Sequence, residues 1–300
     1  MPELPEVETI RRQLDARLIG RSVSSVETRW HKSLTGRGVD PAVVVDRPVA
    51  RVWRRGKVLG IDTEGGISLL THLRMTGQLL LESIRIDVAS PSETPSTRDT
   101  RSPNDTTATR VVFGFDDGSR LYFNDQRKFG RMVVLPTADV SADALLARMG
   151  PEPLEPEFDA EALGAGLARH PSMTLKAALL DQGVVAGIGN IYADEALWRA
   201  GLHPQRRCGT VRRPAVAALR DGIVTVLSEG VALGGSTLRD YVDARGQRGG
   251  YLDAAAVYGR SGQPCRRCST AIVKTTVAGR GTHLCPACQA APRKRRRTRG

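Results

Sequence analysis

No apolar run in the 300-residue chain reaches the roughly 18 residues that span a bilayer, and the amino terminus lacks the pattern of a secretory signal. Membrane and secretory readings are set aside, and a soluble cytoplasmic protein with no membrane partner is expected. Cysteine is scarce, five residues in all, and four of them fall in paired C-x-x-C spacing. In a reducing compartment that spacing points to metal rather than to disulfides. His31, His170, His203 and His283 show no ligand spacing and read as surface or packing residues. Acid falls short of base, 32 Asp and Glu against 44 Lys and Arg, for a formal charge of +12. Half of that excess lies in the tail Arg293-Lys294-Arg295-Arg296-Arg297-Thr298-Arg299, so the body is basic in its own right. Such a balance points to a polyanionic partner, most commonly nucleic acid. A disordered tail over 291–300 is expected to raise non-specific affinity and steepen its salt dependence.

With 40% apolar residues, the length suits two domains plus a small module. Val7, Ile10, Leu14 and Leu18 recur on one face, predicting a helix over Glu6–Ile19 stopped by Gly20. Strand patterns follow from Ser22 to Val134, with Val111–Phe115 and Leu121–Phe123 flanking the hairpin signal Asp116-Asp117-Gly118-Ser119. The polar stretch 83–109 reads as a flexible insertion without assignable chemistry. Beyond Pro136 the pattern turns helical, with helices over Thr174–Asp181 and Ile191–Ala200 joined by a long glycine-rich segment. Domains are expected at 1–135, 136–258 and 259–290.

Cys265-x-x-Cys268 and Cys285-x-x-Cys288 stand sixteen residues apart, the spacing of a two-knuckle, four-cysteine zinc site. All four positions are thiols, so no coordination place stays open and one structural Zn2+ is expected. Between the knuckles, Ala271–Val277 and Thr282–Leu284 read as a β-hairpin with Arg280 in its tip, Ala278-Gly279-Arg280-Gly281.

The opening run Met1-Pro2-Glu3-Leu4-Pro5-Glu6-Val7-Glu8 admits two readings. If the methionine is clipped, Pro2 becomes a secondary α-amine titrating near pH ~8. Attack on an aldehyde carbon would then give an iminium directly. Alternatively, the prolines punctuate a helix start and the glutamates complement its dipole.

Taken together, Pro2–Glu8, Arg54-Arg55-Gly56-Lys57, His72-Leu73-Arg74-Met75-Thr76-Gly77, Asp125-Gln126-Arg127-Lys128-Phe129-Gly130, Ala186–Pro204, Val257-Tyr258-Gly259-Arg260 and the zinc module resemble the formamidopyrimidine-DNA glycosylases, end to end and in order. The resemblance implies an α+β multidomain protein: an N-terminal helix plus β-sandwich, a helix-two-turns-helix domain and a zinc-ribbon hairpin. It implies a monomeric base-excision enzyme of the bacterial cytoplasm, nucleoid-associated through binding damaged double-stranded DNA in a cleft between the larger domains. Pro2 would attack C1′ of a flipped nucleotide, and Glu3 would act as general acid/base. Lys57 would serve proton transfer in β-elimination, and Arg280 would serve δ-elimination and phosphate grip. Met75, Arg127 and Phe129 would fill the gap left in the stack. His72, Lys176 and Asn190 match DNA-contacting positions, Asn190 opening a helix whose free N–H groups attract phosphate. Arg110 stands roughly where members of the family often carry a DNA-contacting histidine, and an arginine there would still bind phosphate.

The loop Gly234–Tyr241 resembles the one that closes over 8-oxoguanine in the family, which implies that Glu6, Ser236, Leu238, Arg239, Asp240 and Tyr241 lie around the lesion. Backbone N–H groups from Leu238 to Tyr241 would cradle O6 of 8-oxoguanine, and the Ser236 carbonyl would accept its N7 hydrogen. The opening run and this loop favour oxidised purines over the oxidised pyrimidines of the endonuclease VIII-like sister family. A non-catalytic damaged-DNA-binding protein is the remaining alternative.

Overall fold

The computed structural model describes residues 1–82 and 102–292; expectations for 83–101 and for the tail 293–300 lie outside the described residues. The chain divides into two compact units. One comprises Met1–Pro2, Glu6–Asp143 and Thr237–Gly249; the other comprises Glu3–Pro5, Ala144–Ser236 and Gly250–Gly300.

Helix α1 runs Leu4–Leu18, two residues earlier than its apolar spacing suggests. Pro5 sits in the first turn, where its missing N–H removes nothing from the helix. In the first unit, Val7, Ile10, Leu14 and Leu18 are buried, each such side chain contributing about 1.5–3 kcal/mol.

They share a core with two sheets. The strands are β1 (Val23–Thr28), β2 (Leu34–Gly36), β3 (Val49–Arg55), β4 (Val58–Thr63), β5 (Ile67–His72), β6 (Gly77–Glu82), β7 (Thr109–Phe115), β8 (Arg120–Asp125) and β9 (Arg131–Pro136). One sheet has the order β1-β7-β8-β6 and the other β2-β9-β5-β4-β3. All pairings are antiparallel except β2 with β9. Leu59, Ile61 and Leu69 from one sheet and Val111, Phe113 and Phe123 from the other fill the interior. Two registers place the candidate site residues: Val58 faces His72, and Gly77 faces Asp125.

The second unit is helical, with α2 (Ala160–Ala168), α3 (Leu175–Leu180), α4 (Asn190–Arg199), α5 (Arg213–Ala232) and the short α6 (Tyr251–Ala254). Leu163, Leu175, Leu179, Ile191, Leu197, Leu219 and Ile223 form its core together with Leu4. Gln182 staples the segment between α3 and α4: its Nε2 donates to Ile188 O (3.0 Å) and its Oε1 accepts from Gly187 N (2.9 Å). This is the helix-two-turns-helix element. Hairpin β10 (Val273–Val277) and β11 (Arg280–Leu284) closes the chain. Its tip is shorter than the sequence suggests. Val277 pairs with Arg280, leaving only Ala278 (φ 51°) and Gly279 (φ 71°) to turn. A two-residue loop with both φ positive matches the twist of the strands, and Arg280 therefore opens β11 rather than sitting at the tip. No helix among the described residues is long and apolar enough to cross a membrane.

Candidate active site

In the first unit, the β3–β4 turn carries Lys57, buried at 6% exposure. Because Val58 faces His72 in register, Lys57 and His72 come to the same end of the five-stranded sheet. Arg54 supports this turn. Its Nη1 donates to Gly56 O (3.1 Å) and its Nε to Glu8 (3.1 Å), which also accepts from Arg11 and Arg12. Burial acts to raise the Glu8 pKa, but the arginines outweigh it and hold the carboxyl below its ordinary value. Burial, with the charges of Arg74 and Lys57, pushes His72 down to about 4. Its Nδ1 accepts from the Arg74 amide (3.0 Å), so the ring is neutral near pH 7.

Two adjacent turns present Met75 and Phe129, 44% and 50% exposed. Both lie on loops rather than inside strands. The Arg127 guanidinium stands 4.6 Å from the Phe129 ring centroid, and Lys128 Nζ lies 4.0 Å from that of Trp30. Asp125, fully buried, ties the turns together. Its carboxylate accepts from Gly130 N (2.6 Å), Arg127 N (3.2 Å) and Thr76 Oγ1 (2.5 Å). Arg74 and Lys128 are held at φ 54° and 59° beside the exposed pair, a conformation of the kind that clusters at functional sites. Arg110 donates through Nε to Asp125 O (2.9 Å) and through Nη1 to Thr107 O (3.2 Å). Glu6 is fully buried, and its carbonyl accepts from Tyr241 Oη (3.3 Å). The Tyr241 side chain thus belongs to the core, while Leu238, Arg239 and Asp240 are exposed.

In the second unit, Glu3 is 3% exposed. Its carboxylate accepts from Gly189 N (2.7 Å) and Ile191 N (3.1 Å) at the start of α4. The positive end of the helix suits a carboxylate there. A Cβ on Gly189 would fall 2.3 Å from Glu3 Cδ, and one on Gly187 (φ +82°) would fall 2.7 Å from Leu4, so both positions need glycine.

The N–H groups of Gly189 and Ile191 are taken by Glu3, which corrects the expectation that they are free for phosphate, while half-buried Asn190 donates through Nδ2 to Gly281 O (3.0 Å). Lys176 is no DNA-facing cation: it is fully buried, with Nζ on Asp194 Oδ1 (2.5 Å) and Asn190 O (3.0 Å). Burial pushes its pKa down, and Asp194 opposes the shift.

Asp194 also accepts from His283 N (2.9 Å) on β11. Glu195 accepts from the amides of Ala256 (2.8 Å), Val257 (2.9 Å) and Tyr258 (2.7 Å). These two neighbouring carboxylates on α4 therefore set the posture of the hairpin that bears Arg280, an exposed residue. Ser236 is buried and bridges Gly250.

The Sγ atoms of Cys265, Cys268, Cys285 and Cys288 lie within 4.8 Å of one another, with Cys268 3.5 Å from both Cys285 and Cys288 and Cys265 3.9 Å from Cys288. Tetrahedral zinc with ~2.3 Å bonds needs sulfurs about 3.8 Å apart, so the four thiols fit one closed, structural ion.

A helix plus β-sandwich, a helix-two-turns-helix element and a four-cysteine ribbon follow one another in the order found in known DNA glycosylases. Comparison with known proteins narrows the class. Family models for the formamidopyrimidine-DNA glycosylase N-terminal domain, its H2TH domain and the zinc finger found in FPG and IleRS match residues 1–132, 149–242 and 262–291. The formamidopyrimidine-DNA glycosylase of Desulfitobacterium hafniense is 40% identical over 291 residues, covering 96% of this chain and all of that one. That of Geobacillus kaustophilus is 42% identical over 293 residues, with 96% and 100% coverage. The crystal structure of the Thermus thermophilus MutM (FPG) protein superposes with a TM-score of 0.83 at 39% identity, covering 97% of this chain and 100% of that one. A Lactococcus lactis FPG mutant, solved with Fapy-dG containing DNA, gives 0.82 at 33% identity with the same coverage. The chain belongs to the formamidopyrimidine-DNA glycosylase family.

Proposed function

We propose that the chain excises oxidised purines, 8-oxoguanine and formamidopyrimidines, from duplex DNA and then cleaves the strand through an imine on Pro2. The reading requires removal of Met1, which frees the proline nitrogen. That nitrogen attacks C1′, the glycosidic bond breaks with its electron pair leaving on the base, and loss of the nitrogen's proton and ring opening give the iminium. Proton abstraction at C2′ expels the 3′ phosphate, and a second elimination expels the 5′ phosphate. Glu3 serves as acid/base and Lys57 assists proton transfer. Arg280 grips phosphate, and Met75, Arg127 and Phe129 fill the vacated stack. Zinc supplies no chemistry and holds the Arg280 hairpin.

The observation that carries this reading is the anchoring of Glu3. Two backbone N–H bonds at the start of α4 fix the residue joined to Pro2, and a nucleophile gains most when held in one geometry. Borohydride treatment of the mature protein with an 8-oxoguanine duplex should give a covalent adduct, absent when the amino-terminal nitrogen is acetylated. No adduct with the wild type sinks the proposal. We further infer a monomer of the bacterial cytoplasm, associated with the nucleoid, and sedimentation of the free protein checks the first point.

A further inference from the structure

We propose that Gln78 is a positioning residue that latches the lesion-contacting loop, so that base excision depends on it and strand cleavage at a base-free site does not. The inference rests on the lesion loop and imine reading above.

The segment Thr237–Gly249 is unevenly held. Tyr241 and Ala244 are buried in the core of the first unit. Gln13 bonds Asp243 Oδ2 (2.7 Å) and Ala244 N (2.8 Å), and Leu81 N donates to Ala244 O (2.8 Å). At the other end, Thr237 Oγ1 donates to Tyr241 O (2.9 Å) and accepts from Gly249 N (2.8 Å). Leu238, Arg239 and Asp240 bow out between these anchors, Leu238 being 56% exposed. Among the described residues, these three share a single hydrogen bond, from Gln78 Nε2 to Asp240 O.

Gln78 lies on β6 one residue past Gly77, which faces Asp125 in register, and two past Thr76, which donates to Asp125. It thereby connects the scaffold of the Met75 and Phe129 turns to the crest of the loop. A cavity of about 190 Å³ lies at this junction, walled by Thr76, Gln78, Gln126, Arg110 and Asp240. A loop that must close on a base pays ordering entropy at that moment, and a bond that already holds its crest lowers that cost. At an abasic site there is no base to enclose, so the latch has nothing to act on.

Single-turnover rates on an 8-oxoguanine duplex and on the same duplex with a preformed abasic site test this. Loss of one hydrogen bond in Gln78→Ala should slow base excision about five- to tenfold, with abasic cleavage and borohydride trapping unchanged. Gln78→Glu should slow excision further, because a carboxylate faces the Asp240 carbonyl, and Gln78→Lys, which keeps a donor, should recover it. Parallel loss of both rates, or no change in either, overturns the latch. A wild type that cannot be trapped on abasic DNA overturns the imine reading instead, so the two failures are distinguishable.

Discussion

Each unit organises its functional segments around one fully buried aspartate, but the partners differ. Among the described residues, the Asp125 carboxylate takes neutral donors, two backbone amides and the Thr76 hydroxyl. Asp194 binds an ammonium, Lys176, with both side chains at 0% exposure, as well as the His283 amide. The first arrangement shapes two neighbouring turns. The second joins α3, α4 and the zinc hairpin, segments far apart in sequence. Neutral donors ask less of a carboxylate's surroundings when one is lost, whereas a broken buried pair strands a charge. The second unit should therefore be the more brittle.

Removing zinc is the strongest way to break the comparison. The four thiols are the one metal-ligating cluster among the described residues, and structural zinc contributes on the order of 10 kcal/mol to folding of such modules. Chelation should melt the β10–β11 hairpin and abolish DNA binding while the sandwich of the first unit survives. Hydrogen exchange resolved by segment checks this, and equal loss in both units would contradict it.

Next come the aspartates themselves. Asp194→Asn or Lys176→Met should cost about 3–5 kcal/mol in thermal or urea unfolding, and the double variant should cost less than the sum, because no lone charge is left. Asp125→Asn should cost about 1–3 kcal/mol, since its amide nitrogen would face an N–H it cannot accept. Equal costs for the two single Asp→Asn changes would erase the distinction drawn here.

The difference also explains what can be read without the fold. Cys265, Cys268, Cys285 and Cys288 declare themselves by spacing, and the apolar period of α1 by its four buried residues. Met75 and Phe129 betray a loop position through Gly77 and Gly130 close behind. Lys176 misleads because the resemblance marks it as a DNA contact, whereas its partner Asp194 lies eighteen residues away across the helix-two-turns-helix element. The bonding of α4 through Glu3, Asp194 and Glu195 joins residues up to 188 apart, and no local pattern encodes that. The same holds for Asp125, whose partners include Thr76 from a turn not adjacent in sequence. Arg280 looks like a tip residue in the sequence because turn length depends on register, and register follows from the pairing of Val277 with Arg280.

The smallest expected effect sharpens the comparison from the first unit. His72 has its pKa lowered from 6.5 to about 4, chiefly by burial and then by Arg74 and Lys57. Between those values the unfolded chain takes up a proton that the folded one refuses, so stability falls as pH drops from about 6.5 to about 4 and is flat in this group outside that window. The loss should be on the order of 1–3 kcal/mol at pH 4. His72→Asn keeps an acceptor for the Arg74 amide without a titrating ring, and should flatten the drop. Urea unfolding of wild type and variant at pH 7, 5.5 and 4 makes the measurement. An undiminished drop in the variant would move the acid sensitivity away from this ring and onto other groups.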